Sequence, residues 1–276
     1  MSAIRKAQIA GTFYPENKDD LNTSLEEMLS CHDDLTLENI NGIIVPHAGY
    51  IYSGNIAAKA YKQIANNKYD NIFVISPSHY DYFEGCSIFA GNYETPIGII
   101  QTNTNLVEAL SHFKTIQISN LGHQNEHALE IQLPFLQRLF SDFKLVPIVM
   151  GKQSYSTANE LAESIFSVLK KSPSENQKNL VVCSSDLSHF YNESTARQLD
   201  SIISNDIEEF NISKLNQDIL AEKTEACGFG PILAGMMVCK LLGATKSKVL
   251  GYGTSADVNK DINRVVGYLS AAFYKN

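Results

Sequence analysis

Four short segments carry the side chains able to hold a metal ion or move a proton: VPHAGY (45–50) with His47, SPSHYDYF (76–83) with His79, CSSDLSHF (183–190) with Asp186 and His189, and GHQNEHALEIQLPF (122–135) with His123, Glu126, His127 and Glu130. Imidazole offers a lone pair near neutral pH, which suits metal ligation or general acid/base work. A single histidine at a strand end is more often a hydrogen-bonded structural residue than a ligand. Recurrence changes that reading, because three of the segments follow apolar strand patterns and the fourth opens an apolar helix. Metal or acid/base chemistry is therefore the expectation for the group. His32 and His112 lie in polar stretches without such a setting and are given no role.

The five cysteines are odd in number and contain no CxxC pair, so they read as reduced thiols and not as a disulfide framework. Cys31, Cys86, Cys183 and Cys239 are expected to be small core hydrophobes. Cys227 differs, since TEACGFGP (224–231) is a glycine- and proline-punctuated turn leading into an apolar helix. A thiol there is expected to be exposed, with the helix N-terminus favouring thiolate, although taken alone a cysteine is more often structural. The chain has no GxSxG elbow, no Walker loop and no GxGxxG. Ser184, Ser185 and Ser188 lie near Asp186 and His189, which leaves a serine hydrolase only as a minor alternative.

The elements that must position these residues are legible from periodicity. Short apolar runs (NGIIVP, NIFVIS, CSIFAG, KLVPIVMG, NLVVCSS, SKVLGYG, RVVGYLSAAF) read as strands, several apolar on consecutive residues as in a sheet covered on both faces. Helical spacing links Ile56, Ala57, Ala60, Tyr61 and Ile64; Ala158, Leu161, Ala162, Ile165, Val168 and Leu169; and Leu199, Ile202, Ile203, Ile207 and Phe210. The alternation predicts a single α/β domain over residues 1–276 with a central, largely parallel or mixed sheet flanked by helices. Residues 170–179 read as a surface loop. In such a fold ligands bind beyond the carboxyl ends of strands, where His47, His79, Asp186 and His189 are expected.

A formal charge of −8, with no run of Lys and Arg longer than a pair, argues against nucleic acid or an anionic membrane surface as partner. A small-molecule substrate or a protein is the expected partner. The first residues lack the apolar core of a signal peptide, and no apolar run approaches the ~20 residues that span a bilayer. A cytoplasmic location is expected.

Seven segments in order, AGTFYP, PHAGYIYSG, SPSH, NEHALEIQLPF, VPIVMG, SSDLSH and ACGFGP, run over nearly the whole chain. Together they resemble the MEMO family, also called AmmeMemoRadiSam system protein B, which is similar to class III extradiol dioxygenases. The resemblance implies that fold, with His47, His79 and Cys227 as metal ligands and a thiolate where the dioxygenases have a glutamate. It places Asp186 and His189 in the pocket as catalytic residues, His189 as the acid/base histidine. Glu126 and His127 would line the cavity as substrate-binding residues, and Tyr52 would close one side. Iron or copper suits such a site first, and zinc also fits. The implied device is a strand delivering His47, with Pro46 setting the bend and Gly49 giving the backbone room, repeated by His79 on a neighbouring strand. The function this implies is redox chemistry on a small hydroxylated aromatic. The alternatives are a binding or scaffold protein partnering AMMECR1-type and radical-SAM proteins, and a zinc-dependent hydrolase; oligomerisation stays open.

Overall fold

The computed structural model describes residues 3–31, 35, 37–171 and 177–275. Its strands in chain order are β1 (Ile4–Arg5), β2 (Gly42–Val45), β3 (Asn71–Pro77), β4 (Cys86–Ile88), β5 (Asn92–Thr95), β6 (Gly98–Ile100), β7 (Ile116–Ile118), β8 (Lys144–Met150), β9 (Asn179–Ser184), β10 (His189–Tyr191), β11 (Lys246–Thr254) and β12 (Val265–Tyr274). The helices are α1 (Lys18–Ser30), α2 (Asn55–Ile64), α3 (Thr104–Ser111), α4 (His127–Glu130), α5 (Leu133–Leu139), α6 (Tyr155–Lys171), α7 (Glu193–Glu208), α8 (Ile212–Leu220), α9 (Phe229–Leu241) and α10 (Ala256–Asn259).

The main sheet runs β10-β12-β2-β9-β3-β8-β4-β7, with β11 also paired to β12. Its centre, β2-β9-β3-β8, is parallel; β12 joins β2 antiparallel and β4 joins β8 antiparallel, so the sheet is mixed as expected. The consecutive-apolar runs form this centre because both faces are covered. Alternate side chains divide between two cores: Ile43, Val45, Ile72 and Val74 face one, and Ile44, Phe73 and Ile75 face the other. The first core is closed by α1, α2 and α5, and the second by α3, α6, α7 and α9.

The apolar stripes form helices because each buries one face. Of the stripe in α2, Ala57, Ala60, Tyr61 and Ile64 are buried, and of that in α6, Ala158, Leu161, Ala162 and Ile165. The third stripe stops early, since α7 ends at Glu208 and Phe210 follows it with a φ of 53°. Helix α9 is buried at every position from Gly230 to Cys239. Gly235 makes that possible, because a Cβ there would stand 1.9 Å from Cys183 Sγ on β9.

Several expectations are corrected. Cys31 is exposed at the end of α1, its Sγ 3.1 Å from the Glu27 carbonyl, because the chain leaves the core there. The stretch 170–179 begins inside α6 and ends in β9; residues 172–176, like His32, lie outside the described residues. Strands β2 and β3 are not neighbours, since β9 runs between them. Gly49 has φ −54° and ψ 146°, and a Cβ there would be 3.5 Å from the nearest atom, so neither conformation nor space demands glycine. After it the chain winds one π-helical turn, Tyr50–Gly54, into α2. Among the described residues no helix is long and apolar enough to cross a membrane.

Candidate metal centre

Parallel strands end at one edge of a sheet, and here the register brings the relevant ends level: Val45 pairs with Ser184, and Ile75 with Cys183. His47, His79 and Asp186 each lie two residues beyond the last residue of β2, β3 and β9. Strands β2 and β3 stand roughly 9–10 Å apart across β9, yet the His47 and His79 rings meet over its end, with centroids 5.1 Å apart. His127, first residue of α4, stacks on His79 at 4.7 Å and lies 5.4 Å from His47. Cys227, just before α9, brings Sγ to 3.1 Å from His47 Nε2.

The hydrogen bonds assign the ring nitrogens. His47 Nδ1 is 3.0 Å from Ser184 Oγ, His79 Nδ1 is 2.8 Å from Glu126 Oε1, and His189 Nδ1 is 2.7 Å from the Leu187 carbonyl. A carboxylate and a carbonyl only accept, so His79 and His189 donate through Nδ1, which leaves Nε2 as the nitrogen open to an ion or a proton. Burial, reinforced by the neighbouring His79, His127 and His189, pushes His47 well below the ordinary imidazole range, so its ring is neutral. His123 has the opposite arrangement. Its Nδ1 accepts from Tyr93 OH at 2.7 Å and its Nε2 donates to the Ser87 carbonyl at 3.1 Å, leaving no free nitrogen. Burial lowers it to about 3, and it is a structural histidine of the neighbouring core.

Glu126 is buried and spends both oxygens locally. It accepts from the His79 backbone N–H at 2.7 Å and ring, and from Ala128 N–H at 2.9 Å, capping α4. Burial pushes its carboxyl up, but these donors outweigh it and hold it below its ordinary value. His127 Nδ1 is 3.3 Å from Glu126 Oε1 and is buried without a hydrogen-bond partner; burial lowers this ring too, against the pull of Glu126. Glu130, one turn on, turns away from the site. It is fully buried against Arg5, accepts from Tyr14 OH at 2.6 Å and from Ile9 N–H at 3.1 Å, and anchors the N-terminal segment.

The Cys227 thiol differs from expectation. The first amides of α9 are already engaged: Ser185 Oγ accepts from Gly228 N–H at 2.9 Å and Gln153 Oε1 from Gly230 N–H at 2.8 Å, while Gln153 Nε2 donates to the Cys227 carbonyl at 2.7 Å. Burial, with Asp186 adding to it, pushes the thiol up, so it stays protonated at neutral pH. The backbone N–H of Asp186 points at Sγ from 3.3 Å, a donor ready to stabilise sulfur once the proton leaves.

Asp186 is buried, and its Oδ1 accepts from His47 N–H at 2.7 Å. Burial raises it to about 6 in spite of that bond. Tyr52 lies on the π-helical turn beside Tyr268, more than a third exposed, and no hydrogen bond or ring contact ties it to the imidazoles. Reasoning from sequence missed Gln132 and Gln153 and weighed Ser184 only as a nucleophile; an amide in the apolar run EIQLPF was the one signal for Gln132, and Gln153, in the polar stretch GKQSYS, gave none.

The donor set fits a metal ion. Ligand atoms of His47, His79 and Cys227 lie within 4.8 Å of one another, and so do those of His79, Glu126 and His127. Only the first group leaves its donors uncommitted to internal carboxylate bonds.

A family model described as Memo-like protein matches residues 5–272. A MEMO1 family protein of Methanobrevibacter smithii is 36% identical, covering 98% of this chain and 99% of its own length. The chain belongs to the MEMO1 family. Other MEMO1 family proteins, from Methanocaldococcus jannaschii at 35% and Aquifex aeolicus at 34% identity, each cover 98% of this chain and 99% of their own length. The MEMO1 family match includes every residue of the cluster, from His47 to Cys227.

Proposed function

We propose that His47, His79 and Cys227 hold a metal ion and that the protein is a dioxygenase-like oxidoreductase acting on a small hydroxylated aromatic. One observation carries this reading: donors from three distant segments converge, with ligand atoms within 4.8 Å of one another, and His189 lies close enough to His47 and Asp186 to act on both electrostatically. Iron or copper in that place would supply a Lewis-acidic, redox-active centre. His189, held through Nδ1 by the Leu187 carbonyl, accepts the hydroxyl proton of the substrate at Nε2. Asp186 fixes the His47 backbone, and Glu126 fixes His79. Glu126 and His127 line the substrate side, with the exposed Tyr80 ring 6.2 Å from His127 and Tyr52 at the rim. The test is anaerobic reconstitution with Fe(II), Cu or Zn followed by oxygen uptake on a panel of catechols. Uptake that depends on metal and is lost in His47→Ala supports the reading; no uptake with any metal overturns it.

A second reading, a binding protein, is favoured by the exposed aromatics at this edge, Tyr80 and Phe190, each more than three-fifths exposed. Its partners would be AMMECR1-type and radical-SAM proteins. Capture of such partners by His47→Ala as efficiently as by the wild type, without oxygen uptake by either, supports it. Zinc found by elemental analysis of untagged protein, together with hydrolytic activity, would point instead to a hydrolase.

A further inference from the structure

We infer that the segment 126–132 is one template that sets the tautomer of both imidazole ligands, with Ser184 and Gln132 as positioning residues for His47. The inference rests on the metal-centre reading above and concerns residues behind the ligands.

Glu126, at the head of the segment, takes His79 by backbone and ring at once. His47 is reached less directly. Ser184 Oγ lies 2.6 Å from the Ala128 carbonyl, which only accepts, so the single hydroxyl proton is spent there. Gln132 Nε2 lies 2.9 Å from both the Pro46 carbonyl and Ser184 Oγ. The Pro46 carbonyl fixes the amide's orientation, and Tyr61 OH confirms it by donating to Gln132 Oε1 at 2.9 Å. Ser184 Oγ therefore gives its proton to Ala128 and one lone pair to Gln132. The contact left to it, His47 Nδ1 at 3.0 Å, must be an N–H donor. His47 is thereby fixed with its proton on Nδ1 and its lone pair on Nε2, facing Cys227.

Gln132 is 1% exposed and Ser184 fully buried. Polar groups so deep are costly unless bonded, and here every side-chain N–H and O–H along Tyr61–Gln132–Ser184–His47, up to His47 Nδ1, has an acceptor. Seven consecutive residues thus serve two ligands that lie 32 positions apart in sequence. They are rigid, since they comprise α4 and the turn into α5, where Pro134 occupies the first helical turn and Phe135 stacks on Tyr61 at 4.5 Å and 7°. Metal-bound histidines commonly donate their other N–H to such partners, whose loss weakens metal affinity by about 10–100-fold.

The experiment uses metal-free full-length protein with 15N-labelled histidine, then zinc titration against a chelator. Wild type is expected to show His47 and His79 as Nδ1–H tautomers before any metal is added. Ser184→Ala is expected to lose that tautomer at His47 alone and bind zinc about 10–100-fold more weakly, with one ion per chain still reached at saturation. Gln132→Met should weaken zinc in the same direction, and Ser184→Thr, which keeps the hydroxyl, should restore both readouts. An Nε2–H tautomer at His47 in the wild type overturns the inference, as does folded Ser184→Ala with unchanged tautomer and affinity. A wild type that binds no zinc, iron or copper but shows both Nδ1–H tautomers overturns the metal reading and supports the template.

Discussion

His47 Nε2 and Cys227 Sγ are 3.1 Å apart although 180 residues separate them in the chain. The imidazole is neutral and the thiol protonated, so in the metal-free protein the sulfur's proton is placed for sharing between the two. With metal–sulfur and metal–nitrogen bonds of ~2.3 and ~2.0 Å at a tetrahedral angle, the same two atoms would stand about 3.5 Å apart. An adjustment of a few tenths of an ångström admits an ion.

Metal binding must therefore expel the thiol proton. Affinity is expected to rise with pH, about tenfold per unit below the thiol's own titration, with at least one proton released per ion. Calorimetry in two buffers of different ionisation enthalpy counts that proton. A release of none in the wild type, or an unchanged release in Cys227→Ala, would contradict the ligand assignment.

His189 touches none of the three proposed ligands by hydrogen bond, and its backbone is held by Glu225 at 2.8 Å. His189→Ala should keep full metal content while turnover of the best catechol falls by about 10²–10⁴-fold. Metal content and turnover falling together would make His189 a ligand or a structural residue.

Asp186 has a folded value near 6, above the ordinary carboxylate value, with burial as the leading cause. A group raised in this way stabilises the fold fully below about pH 4, and that contribution is lost as pH climbs through about 6. The loss amounts to about 3 kcal/mol at neutral pH. Urea unfolding of the metal-free protein at pH 4.5 and 7.5 should show about 2 kcal/mol of this loss in the wild type beyond whatever change Asp186→Asn shows.

The Arg5–Glu130 pair is buried on both sides, and Arg5 also donates to the His123 and Glu126 carbonyls at 2.7 and 2.8 Å, behind the imidazoles. Arg5→Met strands a buried carboxylate and should cost about 3–5 kcal/mol, while metal stoichiometry at saturation, measured well below the unfolding midpoint, stays that of the wild type. Loss of the ion from a still-folded variant would show that the N-terminal anchor belongs to the site.

Much of the fold was legible because its signals are local. The alternation of consecutive-apolar runs with helical stripes is present in GIIV, NIFVISP and the Ala57–Ile64 pattern whatever surrounds them. The segment 122–135 shows where such reading stops. Its four titratable residues look equivalent on the page, yet His123 and Glu130 are absorbed by Tyr93, Ser87, Arg5 and Tyr14, while Glu126 and His127 stay beside His79 and His47. The choice depends on which partners arrive from elements far away in the chain.

The sequence by itself determined the α/β class, the strands that lead into His47 and His79, and, through seven ordered segments, the family. Tertiary structure decided that β9 runs between β2 and β3, so that Ser184 lies beneath His47, that Gln132 reaches Ser184 and Pro46, and that a buried thiol keeps its proton. Periodicity is a property of neighbours along the chain, whereas strand order, tautomer and proton affinity are set by groups that meet only once distant segments are packed together.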